Sequence, residues 1–182
     1  MAIARAGYQL FAERGYEATT IADIAEVAEV APRTVAMYFP SKLDIALSRF
    51  GETVASLTEA IRGIEPGEKL TGALGAWLRA RDVTPAELEM AVLARRMFAA
   101  NPQLRALQHA RMDEAIKAGA AAIAAETGGS PGDAGPMIAS AAAGAVLAEL
   151  ADTPAGTDRD ESITIAMSFL QAGIDSLKRR CP

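Results

Sequence analysis

The stretch Thr19–Lys42, TTIADIAEVAEVAPRTVAMYFPSK, decides the fold. Its first half reads as a short amphipathic helix. Thr20 is a cap, and Asp23, three residues on, completes a capping box that satisfies orphan backbone N–H groups. Ile21, Ile24, Ala25 and Ala28 recur at helical spacing as an apolar stripe, with Asp23 and Glu26 turned to water. Pro32 suits the first turn of a second helix, where no N–H is needed. On that helix Val35 and Phe39 share one face, leaving Arg33, Thr34, Met37 and Tyr38 for the others. Pro40 pushes Phe39 out of helical geometry, and Ser41 with Asp44 caps the next helix. Two short helices around a tight break are the layout of a helix-turn-helix, whose second helix enters the DNA major groove. Spacing alone leaves an ordinary helical hairpin equally open, with Arg33 and Lys42 as solvated charges.

The flanking residues decide between the two. IARAGYQLFAERGYEATT (Ile3–Thr20) leads into IADIAEVAEVAPRTVAMYFPSK (Ile21–Lys42) and then LDIALSRF (Leu43–Phe50). Taken in order, LFAERGY, TTI–DIA and TV–YF–SK resemble the N-terminal domain of TetR/AcrR-type transcriptional regulators. The likeness covers about a quarter of the chain. It implies that Thr20 caps the second helix and touches a phosphate, and that Arg33, Thr34 and Met37 lie on the exposed face of the recognition helix. It implies that Tyr38 donates its hydroxyl to a phosphate and that Lys42 binds the DNA backbone. The chemistry agrees, since Lys, Thr and Tyr position phosphates and Arg reads guanine with two bonds. Leu10, Phe11, Ile21, Ile24, Val35 and Phe39 are then core.

This chain departs from the family pattern at three places. Glu29 stands where the turn usually carries Gly, which makes a left-handed turn less comfortable. Ala31 stands where Ser or Thr would cap the recognition helix. Met37 replaces a more polar or aromatic residue, so a base contact there is apolar, as with a thymine methyl. The resemblance also implies a short basic arm ahead of the first helix, and only two residues precede Ile3 in this sequence.

Charge runs against a general nucleic-acid binder. The chain carries a formal charge of −5, and residues 1–50 hold five Lys and Arg against six Asp and Glu. A broad basic footprint is absent. A dimeric reader with a few well-placed cations remains compatible, because each phosphate contact is local.

With 182 residues there is room for one or two compact domains. The 51% hydrophobic content is rich in alanine, which favours helices. Cys181 is the one cysteine, so no disulfide framework or cysteine-based metal site can form within one chain. No signal peptide is visible, and the nearly apolar run Met137–Ala148 is too short to span a bilayer. A cytoplasmic setting and no membrane partner are expected.

From Ser41 onward, caps and prolines predict six further helices, at about 42–63, 68–82, 85–100, 102–127, 136–151 and 158–180. No segment reads as a strand. The expected class is all-α with about nine helices, a helix-turn-helix domain over 1–46 and a larger effector-binding and dimerisation domain over 47–182.

The last two helices are apolar in different ways. Ile138–Leu150 is small and apolar nearly all round, and so must be buried on more than one side. Ile163, Ala166, Met167, Leu170, Ile174 and Leu177 form a broad stripe on the final helix. Two such helices from each of two chains make a four-helix bundle around a two-fold axis, and family members dimerise through this pair. The expected interface is Ile138, Ala142, Val146, Ile163, Met167, Leu170 and Ile174. The alternative is that both are core helices of a monomer.

Between the two ends, Trp77, Met90, Met97, Phe98 and Met112 are candidates for an effector pocket, since methionines and aromatics line adaptable cavities. Plain core is the competing reading. ANPQLRALQHAR (Ala100–Arg111), with Arg95 and Arg96, resembles the effector domain of a subgroup of these regulators that senses acyl-CoA-like ligands. The expected effector is small and hydrophobic or amphipathic, and anionic if Arg95, Arg96, Arg105 or Arg111 pairs with it.

Catalytic signals are lacking. His109 is the one histidine, and there is no GxSxG, HExxH or phosphate-binding glycine loop. Neither an enzyme nor a cofactor or metal is expected. The expected function is a homodimeric, ligand-responsive regulator, a repressor released from a palindromic double-stranded DNA operator by its effector. The alternative is an all-α homodimeric interaction or small-molecule-binding protein with a degenerate recognition helix and no specific DNA binding.

Overall fold

The computed structural model describes residues 2–81, 84–151, 153 and 157–178. Nine helices occupy the described residues: α1 Ala2–Arg14, α2 Ile21–Val27, α3 Pro32–Tyr38, α4 Lys42–Arg62, α5 Leu70–Ala80, α6 Pro85–Ala100, α7 Pro102–Thr127, α8 Ala134–Leu150 and α9 Thr157–Lys178. The all-α reading holds, and the bounds agree with the expected ones to within two residues at nearly every end. Arg179, Arg180 and Cys181 lie outside the described residues, as does the side chain of His109.

The helices fall into two compact units. The first comprises the chain up to Thr53 together with Ala86–Arg111. Its core is built from Tyr8, Leu10 and Phe11 of α1, Ile24 of α2, Val35 of α3 and Ile45 of α4, joined by Met90, Met97 and Leu104. Ile21 and Phe39 pack against this core while partly exposed. Gly7 allows α1 to lie close on α4, where an added Cβ would stand 2.6 Å from Ile45 Cγ2. Ser41 opens α4 as expected, accepting from Asp44 N at 3.2 Å and donating to its carboxylate at 2.6 Å.

The second unit comprises Val54–Pro85 and the chain from Met112 on. α9 packs on both α5 and α8. Leu74 and Leu78 of α5 and Ile163 and Ile174 of α9 are buried in it. α7 and α8 approach closely at Gly119, where any side chain would run into Ser140 Oγ, itself donating to Ile116 O at 2.7 Å. Arg159 is buried and donates to Leu78 O at 2.6 Å, setting a cation at the carbonyl end of α5.

Candidate nucleic-acid interface

The helix-turn-helix is assembled from local chemistry. Thr20 Oγ1 accepts from Asp23 N at 3.1 Å, and Thr20 N donates to Asp23 Oδ2 at 2.7 Å, so both halves of the capping box are made. The Thr20 hydroxyl and backbone N–H hold the Asp23 carboxyl below the usual carboxylate range. Because that shift favours the ionised form, the box is intact above the ordinary carboxylate pKa and is lost as pH falls through the lowered value. Next to it, buried Thr19 donates to Gly15 O at 2.8 Å and closes the end of α1.

α2 ends in a Schellman motif, with Val30 N donating to Ala25 O at 2.9 Å and Glu29 N to Glu26 O at 3.1 Å. The left-handed residue of that motif is Glu29, with φ at 55°. Glycine adopts this conformation without the roughly 1–2 kcal/mol penalty of a Cβ, although it adds about 0.5–1 kcal/mol of chain entropy to the unfolded state. Glu29→Gly is therefore expected to stabilise the protein by up to about 1 kcal/mol. Urea denaturation reads this, and a lowered midpoint would mean that the glutamate itself stabilises the turn.

The recognition helix α3 starts at Pro32, and its N-cap Ala31 supplies no side-chain hydrogen bond. Ala31→Ser adds the missing acceptor and should stabilise the protein by about 1 kcal/mol. An unchanged midpoint in the same urea titration would argue that solvent already satisfies those N–H groups. Val35 anchors α3 in the core, which turns the opposite face outward. On that face Met37 is 72% and Tyr38 65% exposed, Arg33 is exposed, and Thr34 is half-buried. The structure thus brings Thr20, Arg33, Met37 and Tyr38 to the surface of one motif.

Lys42 is placed differently. Its ammonium donates to Tyr16 O at 2.6 Å and Thr19 O at 2.8 Å, with Glu17 O at 3.4 Å, and lies 4.5 Å from the centre of the Tyr16 ring. Sequence reading also missed Asn101. Its buried amide accepts from Tyr16 N at 2.7 Å and donates to Phe11 O and Met97 O, both at 2.8 Å. The one available signal, an Asn before Pro102, points to a helix start and not to these partners.

The five effector candidates do not gather around one cavity. Met90 and Met97 are buried in the core of the first unit, with Phe98 packed against it. In the second unit, buried Trp77 donates to Ser56 Oγ at 3.0 Å, and the Arg81 guanidinium lies 4.9 Å from the centre of its ring. Met112 lines the interior of that unit with Leu57, Leu74, Ile116, Gly144 and Leu147, around a space of only about 10 Å³. A larger open groove of about 980 Å³, lined by Ile64, Lys69, Lys117, Ala121, Glu126 and Lys178, includes none of the five. Arg111 lies 3.9 Å from Asp44.

The interface candidates divide by burial. Ile138 and Ala142 are exposed on α8 and Val146 is half-buried. Ile163, Met167, Leu170 and Ile174 turn inward and are buried in the protomer's own core. The outward face of α9 instead carries Ile165, 63% exposed, and Phe169, 71% exposed, with Ala172 and Gly173 continuing the stripe. On α8 the matching outward stripe is Ile138, Ala141, Ala142, Ala145 and Ala148.

The described residues thus form one unit built around a capped helix-turn-helix and a second, all-helical unit with an outward apolar face on α8 and α9. Residues 3–48 match the model of bacterial regulatory proteins of the tetR family. The HTH-type transcriptional regulator TcmR of Streptomyces glaucescens is 39% identical over 83 residues, which are 43% of this chain. The match spans 37% of TcmR's length. Among solved structures, Salmonella enterica GusR is similar with a TM-score of 0.64 and 21% identity, over 98% of this chain and 94% of that one. The TetR family transcriptional regulator PfmR from Thermus thermophilus has a TM-score of 0.50 and 19% identity, over 95% of this chain and 97% of that one. Residues 3–48 are thus similar to the helix-turn-helix segment of tetR-family regulatory proteins, and the whole described chain shares the fold of the solved structures.

Proposed function

We propose that the protein is a homodimeric transcriptional regulator that binds a palindromic operator through α3 and is released from it by a small-molecule effector. The observation that carries this reading is the outward face of α3, with Arg33, Met37 and Tyr38 presented on a fully capped α2 support. In this reading Arg33, Thr34 and Met37 face the bases, Arg33 reading a guanine edge and Met37 an apolar one, while Thr20 and Tyr38 position phosphates. Residues 1–46 read DNA, and residues 47–182 dimerise the protein and receive the effector. Dimerisation runs through the outward stripes of α8 and α9, and repeats the recognition helix at the half-site spacing of an operator.

The effector is small and hydrophobic or amphipathic. It enters the interior of the second unit by parting the closed wall at Met112, and lowers DNA affinity because it favours one arrangement of the recognition helices over the other. The competing reading, a helical dimer without specific DNA binding, draws on the six acids against five bases in residues 1–50.

Fluorescence anisotropy separates the two. The full-length protein is titrated against the DNA upstream of its own gene, with bulk DNA as competitor, at several salt concentrations. Specific binding at least about 1,000-fold tighter than bulk binding is expected of a regulator. Binding that never exceeds bulk competition refutes the regulator and favours the alternative.

A further inference from the structure

The Tyr16–Thr20 turn, which delivers the chain into α2, is held from two sides by side chains distant in sequence. Tyr16 has both of its backbone groups gripped. Its N–H donates to Asn101 Oδ1 at 2.7 Å, and its carbonyl accepts from Lys42 Nζ at 2.6 Å. Asn101 continues to Phe11 O and Met97 O, and so ties the turn to α1 and to the end of α6. Lys42 continues to Thr19 O at 2.8 Å, with Glu17 O at 3.4 Å.

An ammonium has three donors, and here three carbonyls converge on them while the Tyr16 ring face covers a further side. A lysine at the first position of a helix is opposed by the helix dipole, so its place there calls for a compensating partner. The carbonyl cluster supplies one without any DNA. To grip a phosphate, Lys42 would first have to release two short hydrogen bonds.

We propose that Lys42 is a positioning residue and not a phosphate contact: with Asn101 it braces the Tyr16–Thr20 turn and thereby sets the pose in which α2 and α3 meet DNA. This rests on the DNA-binding reading for its consequence, although the brace itself does not. Loss of either side chain lets the turn move, so the motif keeps its charge-driven affinity for any duplex but loses discrimination between sequences.

The test compares wild type, Lys42→Met, Lys42→Arg and Asn101→Ala as full-length proteins. Each is titrated against a duplex selected from a random pool by the wild type and against an unselected duplex, at several salt concentrations. Hydrogen exchange of the amides of residues 16–20 is followed in parallel. A phosphate contact contributes about 0.9 to the slope of log affinity against log salt for each protomer. The expected result is an unchanged slope for Lys42→Met, at least tenfold loss of preference for the selected duplex, and faster exchange in the turn. Asn101→Ala should behave alike.

Lys42→Arg covers the case in which Lys42→Met does not fold. Arginine serves a phosphate as well as lysine does, but its planar fork does not fit three converging carbonyls, so it should also lose preference. A slope shallower by about 0.9 per protomer for Lys42→Met overturns the proposal. So does full rescue by Lys42→Arg, or unchanged exchange in residues 16–20. If the wild type prefers no duplex, the DNA-binding reading fails, while the exchange measurement still decides the brace.

Discussion

Replacing Ile165 and Phe169 together by glutamate is expected to keep the proposed dimer from forming and to abolish high-affinity operator binding. Both side chains stand outward from α9, more than 60% exposed in the protomer, so their replacement should leave the protomer's core and helix content intact. In the dimer, the same positions would place four carboxylates in a closed apolar seam. Burying unpaired charges is far more costly than the apolar contacts they replace. With the dimer gone, the two recognition helices no longer bind as one molecule, and affinity for a two-half-site operator falls by about 100-fold or more. Sedimentation velocity reads the first effect and anisotropy the second, with circular dichroism as the folding control. A double variant that remains a dimer would move the interface away from the outward face of α9. A monomer that still binds the operator as tightly would sever dimerisation from recognition.

The second large effect is expected from Arg33→Ala. A well-made bidentate contact to a base is worth about 1–3 kcal/mol of discrimination. A symmetric dimer makes it twice, so the loss on a palindromic site is about 2–6 kcal/mol, or at least about 30-fold. Because Arg33 is exposed on α3, outside the core, thermal stability should be unaffected. The loss should be largest on the selected duplex and small on bulk DNA, since a base contact carries sequence information and a phosphate contact does not. An equal loss on both duplexes would make Arg33 a phosphate contact. No loss on either would leave the exposed face of α3 without its reader.

Much of this molecule was legible in its sequence because the relevant physics is local. Capping at Thr20 and Ser41, proline starts at residues 32, 85 and 102, and the missing cap at Ala31 are all properties of four or five consecutive residues. The strained turn at Glu29 could be anticipated for the same reason. Its φ is positive because the Schellman motif requires a left-handed residue immediately before Val30. The outward face of α3 followed from the placement of Val35 and Phe39.

The stripes of α9 were not legible. Two sets of apolar residues run along that helix two positions apart, 163–167–170–174 and 165–169–172, and either could face the protomer's own core. Periodicity reports that a helix is buried on a face, but not which neighbour covers it. The methionines posed the same difficulty, since Met90 and Met97 at helical spacing serve a packed core as readily as a cavity.

The sequence by itself determined the class, the helices and the helix-turn-helix, because caps, breakers and periodicity act within a few residues. Tertiary structure alone decided what distant groups do to one another. Lys42 meets Tyr16, 26 positions away, and Asn101 meets it from 85 positions away. No local pattern encodes such pairings. They arise because folding brings the turn between α1 and α2 against the start of α4 and the corner between α6 and α7, where unpaired backbone groups must find partners.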